Sequence, residues 1–346
     1  MRFIFDLGHP AHFHLFKNPI STLKELGHGV EIIARDKDCL LELLDREGWS
    51  YKSVFRCGKG LIALGCQNFA AFRTAVSTAW RKRADFIVGT SIVAGPAARL
   101  CGAKSVVFGE DDAKAVPIFA KLAYPVAHYV VTPDCLKFEN YGKKHLTYPG
   151  YQELAYLHPN RYQANPEIKR DLGLNSDERY FLIRLVSLTA HHDIGEKGVN
   201  TIQAFELLER LAKYGRVFIS AEKVVDEKLE KYLLPTRAEK IFDVMAFADM
   251  VIGDSQTMCA EAAVLGTPSL RCNTFVGRLS YLEELEHKYG LTKGFLPDDF
   301  DKLLQQIDKW LVEENIKDNW QQKRTRMLEE KCDLTDWMVK LFDRLA

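Results

Sequence analysis

The 346-residue chain carries no net charge, no long apolar run and no pair of cysteines at metal-binding spacing. Lys and Arg number 47, as do Asp and Glu, which argues against a nucleic-acid binder held mainly by phosphate contacts. No stretch reaches the roughly 18 apolar residues that span a bilayer, and Met1 leads into a strand pattern rather than a secretion signal. We expect a cytoplasmic protein, at most peripheral to the inner face of a membrane.

Motifs of several common cofactor-binding classes are also lacking. The eight cysteines are scattered, so we expect reduced thiols and no metal. The turn Gly8–His12 lacks the spaced glycines of a dinucleotide-binding loop, and no glycine-rich loop ends in Gly-Lys-Ser or Gly-Lys-Thr. A classical dehydrogenase and a kinase are therefore disfavoured, and no separate cofactor is expected.

Short apolar runs alternate with longer helical patterns along the whole chain. This alternation is typical of βαβ units and of a parallel sheet. The predicted strands of the first half are Arg2–Leu7, Gly29–Ala34, Phe86–Gly89, Ser105–Phe108 and Tyr129–Thr132. Those of the second half are Tyr180–Val186, Arg216–Ile219, Asp249–Gly253 and Ser269–Cys272.

The length fits two α/β domains of about 150 residues each. An irregular segment with three prolines, residues 148–166, separates the two sets of strands and is interpreted as the linker. We therefore predict an amino-terminal lobe over residues 1–155, a carboxy-terminal lobe over 156–320 and a helical tail over 321–346 that packs on a lobe.

The most informative segment is residues 249–268. A strand ending in Gly253-Asp254-Ser255 runs into a helix, whose first backbone N–H groups have no partner within the helix and favour a diphosphate. Ser255 and Thr257 add hydroxyl donors beside Gln256, and Glu261 can accept hydrogen bonds from ribose hydroxyls. The alternative is an ordinary helix capped by Asp254 or Ser255, with Glu261 on a solvated face.

This segment resembles the carboxy-lobe nucleotide site of the UDP-N-acetylglucosamine 2-epimerase family and other GT-B proteins. There a Thr-Asp-Ser-Gly-Gly turn precedes a helix with a ribose-binding Glu; Ser255 and Glu261 fall on matching positions, while Gln256 and Thr257 replace the glycines. The turn Gly266-Thr267-Pro268, which leads to Arg271, resembles the Gly-Lys-Pro turn that follows this helix in the epimerase family. The resemblance implies a GT-B fold: two Rossmann-like lobes whose parallel sheets face a central cleft.

The whole chain also resembles domain-of-unknown-function family 354, considered GT-B-like. The stretches that carry this resemblance are residues 8–18, 34–38, 150–159 and 184–193. They cover nearly the full length, but the family brings no settled reaction with it.

Two candidate catalytic groups follow strands of the amino-terminal lobe. His12 or His14, beside His9, is suited to act as a general base, because an imidazole titrates near neutral pH. Alternatively, these histidines bind a metal ion or are simply hydrogen-bonded residues of a loop. Glu110 falls on a catalytic Glu of the epimerase family, or is simply an acid at a helix amino terminus. The catalytic Asp of that family would fall near Thr90, which cannot transfer a proton as a carboxylate does, and this counts against 2-epimerisation.

A third group follows the first strand of the carboxy-terminal lobe. Arg184 and Ser187 are candidates for phosphate binding, with Arg271 and Lys197 as weaker ones, and His191 could assist the leaving diphosphate. The alternative is that the residues after this strand form a surface loop without a role in binding or catalysis.

Residues 69–83 combine basic and aromatic side chains. They predict an amphipathic helix that packs on the amino-terminal lobe or lies against an anionic membrane presenting a lipid-linked acceptor.

These observations favour a metal-independent glycosyltransferase that moves a sugar from a nucleotide donor, most simply a UDP-sugar, to a polysaccharide or glycolipid precursor of the cell surface. The expected partners are thus a nucleotide-sugar and a glycan or lipid-linked acceptor. One alternative is a nucleotide-sugar epimerase or hydrolase with Glu110 and His191 as acid and base. Another is a non-catalytic nucleotide-sugar binding protein.

Overall fold

The computed structural model describes residues 1–55, 58, 61–136, 139–186, 197–222 and 225–346. The chain forms two compact units, one of residues Met1–Arg161 with Lys331–Ala346 and the other of Tyr162–Glu330. Each unit contains one parallel β-sheet covered by helices, so the predicted α/β class with two parallel sheets is confirmed. None of the described helices is long and apolar enough to cross a membrane.

The first unit contains a seven-stranded parallel sheet in the order β3-β2-β1-β4-β5-β6-β7. Its strands are β1 Arg2–Leu7, β2 Gly29–Arg35, β3 Lys52–Val54, β4 Phe86–Gly89, β5 Lys104–Phe108, β6 Tyr129–Pro133 and β7 His145–Tyr148. The strand order reverses between β1 and β4. In doubly wound sheets such a switch point opens a crevice at the carboxyl ends of the strands, where ligands bind.

Among the described helices that cover this sheet are α1 Pro10–Glu25, α2 Leu40–Arg46, α3 Leu61–Lys82, α4 Ala94–Cys101 and α5 Pro117–Ala123. Since side chains alternate along a strand, Ile4 of β1 faces the layer of α3 and α4. Helix α3 buries Ala71 and Ala75 there but leaves Phe69 and Trp80 62% and 60% exposed. The predicted amphipathic helix is therefore present, with its small residues packed on the sheet.

The second unit contains a five-stranded parallel sheet in the order β12-β11-β10-β8-β9. Its strands are β8 Tyr180–Leu185, β9 Arg216–Ala221, β10 Met250–Gly253, β11 Ser269–Cys272 and β12 Thr292–Phe295. Its helices are α6 Ile168–Asp171, α7 Thr201–Leu211, α8 Glu227–Glu230, α9 Ile241–Phe247, α10 Gln256–Leu265, α11 Ser280–His287, α12 Phe300–Leu311 and α13 Ile316–Glu330. The switch point lies between β8 and β10.

The last two helices belong to different units. Trp320 of α13 donates a hydrogen bond to the Leu291 carbonyl at 2.8 Å, within the second unit. Helix α14, Leu334–Leu345, instead places Phe342 on the first sheet, with its ring centroid 5.1 Å from that of Phe3 and 6.1 Å from that of Phe86. The division thus falls after residue 161 and again after 330, whereas the sequence suggested 155 and a tail beginning at 321.

Candidate functional site

The switch point of the second unit brings the carboxyl ends of β8 and β10 side by side. Gly253 at the end of β10 pairs with Arg184 of β8. A Cβ atom at Gly253 would lie 2.1 Å from the Arg184 carbonyl oxygen, so only glycine permits this approach. The Gly-Asp-Ser turn is therefore held at the crevice where ligands of doubly wound sheets bind.

Helix α10 begins at this crevice. Ser255 is its N-cap, and its Oγ accepts a hydrogen bond from the Met258 N–H at 3.3 Å. Ser255 therefore caps the helix through its oxygen, and its hydroxyl hydrogen can still be donated to a ligand. The N–H groups of Gln256 and Thr257 have no acceptor within the helix because they lie in its first turn. Together with the helix dipole, these donors favour an anion at this point.

Asp254, which the sequence places among the candidate nucleotide-binding residues, holds neighbouring backbone in the structure. Its side chain is buried, and its Oδ1 accepts from the Val186 N–H at 2.8 Å while its Oδ2 accepts from the Val199 N–H at 3.2 Å. A Cβ atom at Gly198 would lie 2.5 Å from Asp254 Oδ2. Asp254 therefore fixes two backbone segments beside the start of α10.

Glu261 does not lie on a solvated face. It is 6% exposed, as is typical of α10, in which every residue from Met258 to Leu265 is buried. It follows Thr257 by four positions, which places both side chains on the same face of the helix. The structure therefore rules out the solvated alternative and leaves Glu261 on the face that bears a first-turn hydroxyl.

Arg271 lies at the carboxyl end of β11 and is 1% exposed. Its Nη2 donates to Glu283 Oε1 at 2.7 Å and to Glu286 Oε2 at 2.9 Å. Burial raises the pKa of Glu286, and the adjacent guanidinium opposes that rise. Within the described residues, Arg271 Nε and Nη1 have no hydrogen-bond partner.

A shallow recess lies against this arginine. Its walls include Gln256, Arg271 and Asn273. Asn273 is fully buried; its Nδ2 donates to the Asp254 carbonyl at 3.1 Å, and its Oδ1 accepts from the Phe275 N–H at 3.0 Å. Sequence reasoning missed Asn273, although a polar residue directly after a buried strand was the available signal.

Arg184 is already paired. Its Nη1 donates to Ser220 Oγ at 2.8 Å, and its Nη2 contacts the Glu222 carboxylate. An anionic ligand would have to compete with Glu222 for this guanidinium. Ser187 and His191 lie outside the described residues.

Lys197 marks the point where the described chain resumes after residue 186. Its N–H donates to Thr274 Oγ1 at 3.0 Å, and its carbonyl accepts from the Thr274 N–H at 3.0 Å. The backbone of Lys197 is thereby fixed to the segment that follows β11.

His12, in the first unit, is set up as a hydrogen-bond donor. Its Nδ1 accepts from the Gly8 N–H at 3.1 Å, so the neutral ring carries its proton on Nε2. Burial, followed by the charges of His9, Arg35 and Lys37, lowers the pKa of His12 to about 3. A base needs a free lone pair, so the expected general-base role does not fit this geometry.

His14 is also held neutral. Its ring centroid lies 5.3 Å from that of Tyr156, and burial, with a smaller effect from Lys17, lowers its pKa to about 4. No group of three His, Cys, Asp or Glu side chains converges as metal ligands in the described part of the chain.

Glu110 follows β5 at the carboxyl edge of the first sheet. Helix α5 does not begin until Pro117, so the alternative of an acid at a helix amino terminus does not apply. A Cβ atom at Gly109 would lie 1.8 Å from the Tyr124 hydroxyl, which explains the glycine before Glu110. Burial, followed by the charge of Glu110, raises the pKa of Tyr148, which places this carboxylate near that phenol.

The two lowered histidine pKa values predict a loss of stability in mild acid. The unfolded chain protonates His14 near pH 6.5, but the folded chain only near pH 4. Between these values the unfolded state binds more protons, so the free energy of unfolding decreases as the pH is lowered. The decrease is at most about 1.4 kcal/mol per pH unit for each such histidine. Urea unfolding at several pH values measures this slope.

In His14→Gln we expect a shallower slope between about pH 6 and about pH 4. The exposed His287, with a side chain 69% accessible, serves as the control in His287→Gln. Equal slopes in wild type and His14→Gln would contradict the prediction.

A family model described as "Protein of unknown function (DUF354)" matches residues 1–341. No curated protein gives a significant match. Among solved structures, spinosyn forosaminyltransferase SpnP is 15% identical, with 100% of this chain and 99% of that one covered and a TM-score of 0.68.

Two further structures are similar over nearly the full length. The UDP-GlcNAc 2-epimerase from Methanocaldococcus jannaschii is 14% identical, with 94% and 99% of the two chains covered and a TM-score of 0.64. The S. aureus protein MnaA, solved with UDP, is 12% identical, with 92% and 91% covered and a TM-score of 0.65. At such identities the likeness shows the fold, which this chain shares with GT-B glycosyltransferases and UDP-GlcNAc 2-epimerases.

Proposed function

We propose that this chain, which belongs to the family described as protein of unknown function DUF354, transfers a sugar from a nucleotide donor to an acceptor. The observation that carries the proposal is the start of α10 at the switch point of the second sheet. A helix amino terminus placed in that crevice presents backbone donors and a positive dipole end to a diphosphate.

The nucleotide is bound by the second unit. The N–H groups of Gln256 and Thr257, with the hydroxyls of Ser255 and Thr257, hold the diphosphate and stabilise its charge as it leaves. Glu261 accepts hydrogen bonds from ribose hydroxyls, supported by its place four residues after Thr257. The likeness to a protein solved with UDP supports a UDP-sugar as donor.

Other groups of the second unit act at longer range. Arg184 and Arg271 add positive charge near the diphosphate while remaining bound to their own carboxylates. Asp254 keeps the turn in place.

The first unit supplies the groups that act on the acceptor. Glu110 is the best candidate for the proton-accepting base, because the lone pair of His12 Nδ1 is already bonded to the Gly8 N–H and because a pKa lowered to about 4 makes His14 a weak base. Thr90 follows β4 where an epimerase of the related family carries a second acid, which supports transfer over 2-epimerisation.

The acceptor is a glycan or a lipid-linked precursor. The exposed Phe69 and Trp80 flank Arg73 on one face of α3, which supports contact with an anionic membrane surface from the cytoplasmic side.

Calorimetric titration of the full chain with UDP-, GDP-, CMP- and ADP-sugars tests the nucleotide site. We expect one nucleotide class to bind and its Kd to rise by about 10- to 100-fold in Glu261→Gln, since a hydrogen bond to a charged group contributes roughly 1.5–3 kcal/mol. Glu209→Gln, at an exposed position of α7, is the matched control and should bind as wild type does.

No binding to any member, or equal binding by Glu261→Gln, would overturn the proposed nucleotide site. Conversion of the bound sugar without any acceptor would instead identify an epimerase or hydrolase. Tight binding with no turnover in the presence of glycan and lipid-linked acceptors would identify a non-catalytic binding protein.

A further inference from the structure

A polar cluster lies at the switch point of the first sheet, beside His12. Asp6 is the last but one residue of β1, Arg35 is the last residue of β2, and Ser91 follows β4. Asp6 is 0% exposed and Ser91 is 3% exposed. All three side chains therefore meet at the carboxyl edge of the sheet, where its strand order reverses.

The contacts within this cluster are long for charged groups. Arg35 Nη2 lies 3.4 Å from each of three oxygens, which belong to Asp6, Asn68 and Ser91. Charge-assisted hydrogen bonds usually measure about 2.7–2.9 Å. Among the described residues, Asp6 Oδ1 and Arg35 Nε are buried and have no hydrogen-bond partner. A pair that served only to close the protein core would be expected to satisfy these atoms.

The guanidinium occupies space that a side chain at position 8 would fill. A Cβ atom built on Gly8 lies 2.3 Å from Arg35 Nη1 and 3.7 Å from a ring carbon of His12. His12 is thus adjacent, and its Nε2–H is a further donor because Nδ1 is already bonded to Gly8. The Arg35 side chain is 11% accessible, against 1% for Asp6, so an entering ligand meets the guanidinium before the carboxylate.

We propose that Asp6, Arg35 and His12 form a binding site for a neutral group with adjacent hydroxyls, as presented by a carbohydrate. A hydroxyl both donates and accepts, and the cluster offers a carboxylate acceptor beside two donors. Its formal charges sum to zero, since the guanidinium balances the carboxylate and the imidazole is neutral. An anion would meet repulsion from Asp6, and an apolar group would leave the buried polar atoms unsatisfied.

The site belongs to the first unit alone and does not depend on nucleotide binding. Saturation-transfer NMR on the full chain, with methyl glycosides of glucose, galactose and N-acetylglucosamine as probes, tests it directly. We expect at least one glycoside to receive saturation in the wild type. Inorganic phosphate at the same concentration should not displace that glycoside.

Gly8→Ala is the decisive variant. Its added Cβ displaces only the end of the Arg35 side chain and removes no charge, so the fold should be retained. We expect its Kd for the glycoside to rise at least about tenfold, whereas its nucleotide binding should be unchanged. Gly65→Ala, where a Cβ meets open space, is the matched control. Asp6→Asn, which removes the carboxylate charge, should also weaken binding.

Three results would overturn the proposal: no saturation of any glycoside at tens of millimolar, equal affinity in wild type and Gly8→Ala, or displacement of the glycoside by phosphate. Since nucleotide binding is titrated separately, failure of this site and failure of the nucleotide site are distinguishable.

Discussion

Asp254→Ala is expected to lower the free energy of unfolding by about 3 kcal/mol, because one buried and one partly buried N–H group lose a charged acceptor at once. These donors, Val186 and Val199, lie 2.8 and 3.2 Å from the carboxylate oxygens. The same change should weaken nucleotide binding, since the turn before α10 loses the side chain that anchors it. Urea unfolding and calorimetric titration measure the two effects.

Two further variants make this result specific. Asp254→Asn keeps one acceptor oxygen and should cost about half as much. Asp226→Ala removes the carboxylate that caps the short helix α8 by accepting from the Lys228 N–H, in an exposed setting, and should cost about 1 kcal/mol. If Asp254→Ala were no more destabilising than Asp226→Ala, the two hydrogen bonds that Asp254 accepts would contribute nothing beyond an ordinary helix cap.

Arg271→Ala is expected to destabilise the protein by about 3–5 kcal/mol, because it leaves two neighbouring carboxylates without their shared cation. Glu283 and Glu286 are largely buried, with side chains 27% and 14% accessible, and both bind the same Nη2 atom. Burial already raises the pKa of Glu286, and removal of the guanidinium should raise it further. The loss should therefore be smaller in mild acid, where Glu286 takes up a proton.

The accessible pair Arg210–Asp308 provides the comparison. Arg210→Ala should cost no more than about 1 kcal/mol, as is usual for ion pairs at the surface. Adding Glu286→Gln to Arg271→Ala should recover part of the lost stability. A small effect of Arg271→Ala, or no recovery in the double variant, would show that the cluster is not held by this arginine.

The central strands of both sheets could be predicted because each is a buried apolar run followed by a helix. The edge strands β3, β7 and β12 were missed. Polar residues or glycine interrupt their apolar pattern: Lys52 in β3, His145 and Thr147 in β7, and Lys293 and Gly294 in β12. Their pairing is set by neighbouring strands rather than by their own sequence.

The start of α10 could also be predicted, because a strand, a Gly-Asp-Ser turn and a helix are adjacent in the sequence. The hydrogen bonds of Asp254 could not be predicted, since its partners Val186 and Val199 lie 68 and 55 residues away in the sequence. The meeting of Asp6 with Arg35 depends likewise on the register that sets Asp6 opposite Ile33. Sequence patterns predict elements, whereas side-chain partners depend on how distant elements pair.

The position of Phe342 has a consequence for how the protein is made. Residues 334–345 emerge from the ribosome after the entire second unit, yet they cover the aromatic layer of the first sheet that includes Phe3 and Phe86. The second unit is contiguous in sequence and can complete its folding during translation. The first unit begins earlier, but its aromatic layer gains the contacts of Phe342 only when synthesis is nearly finished.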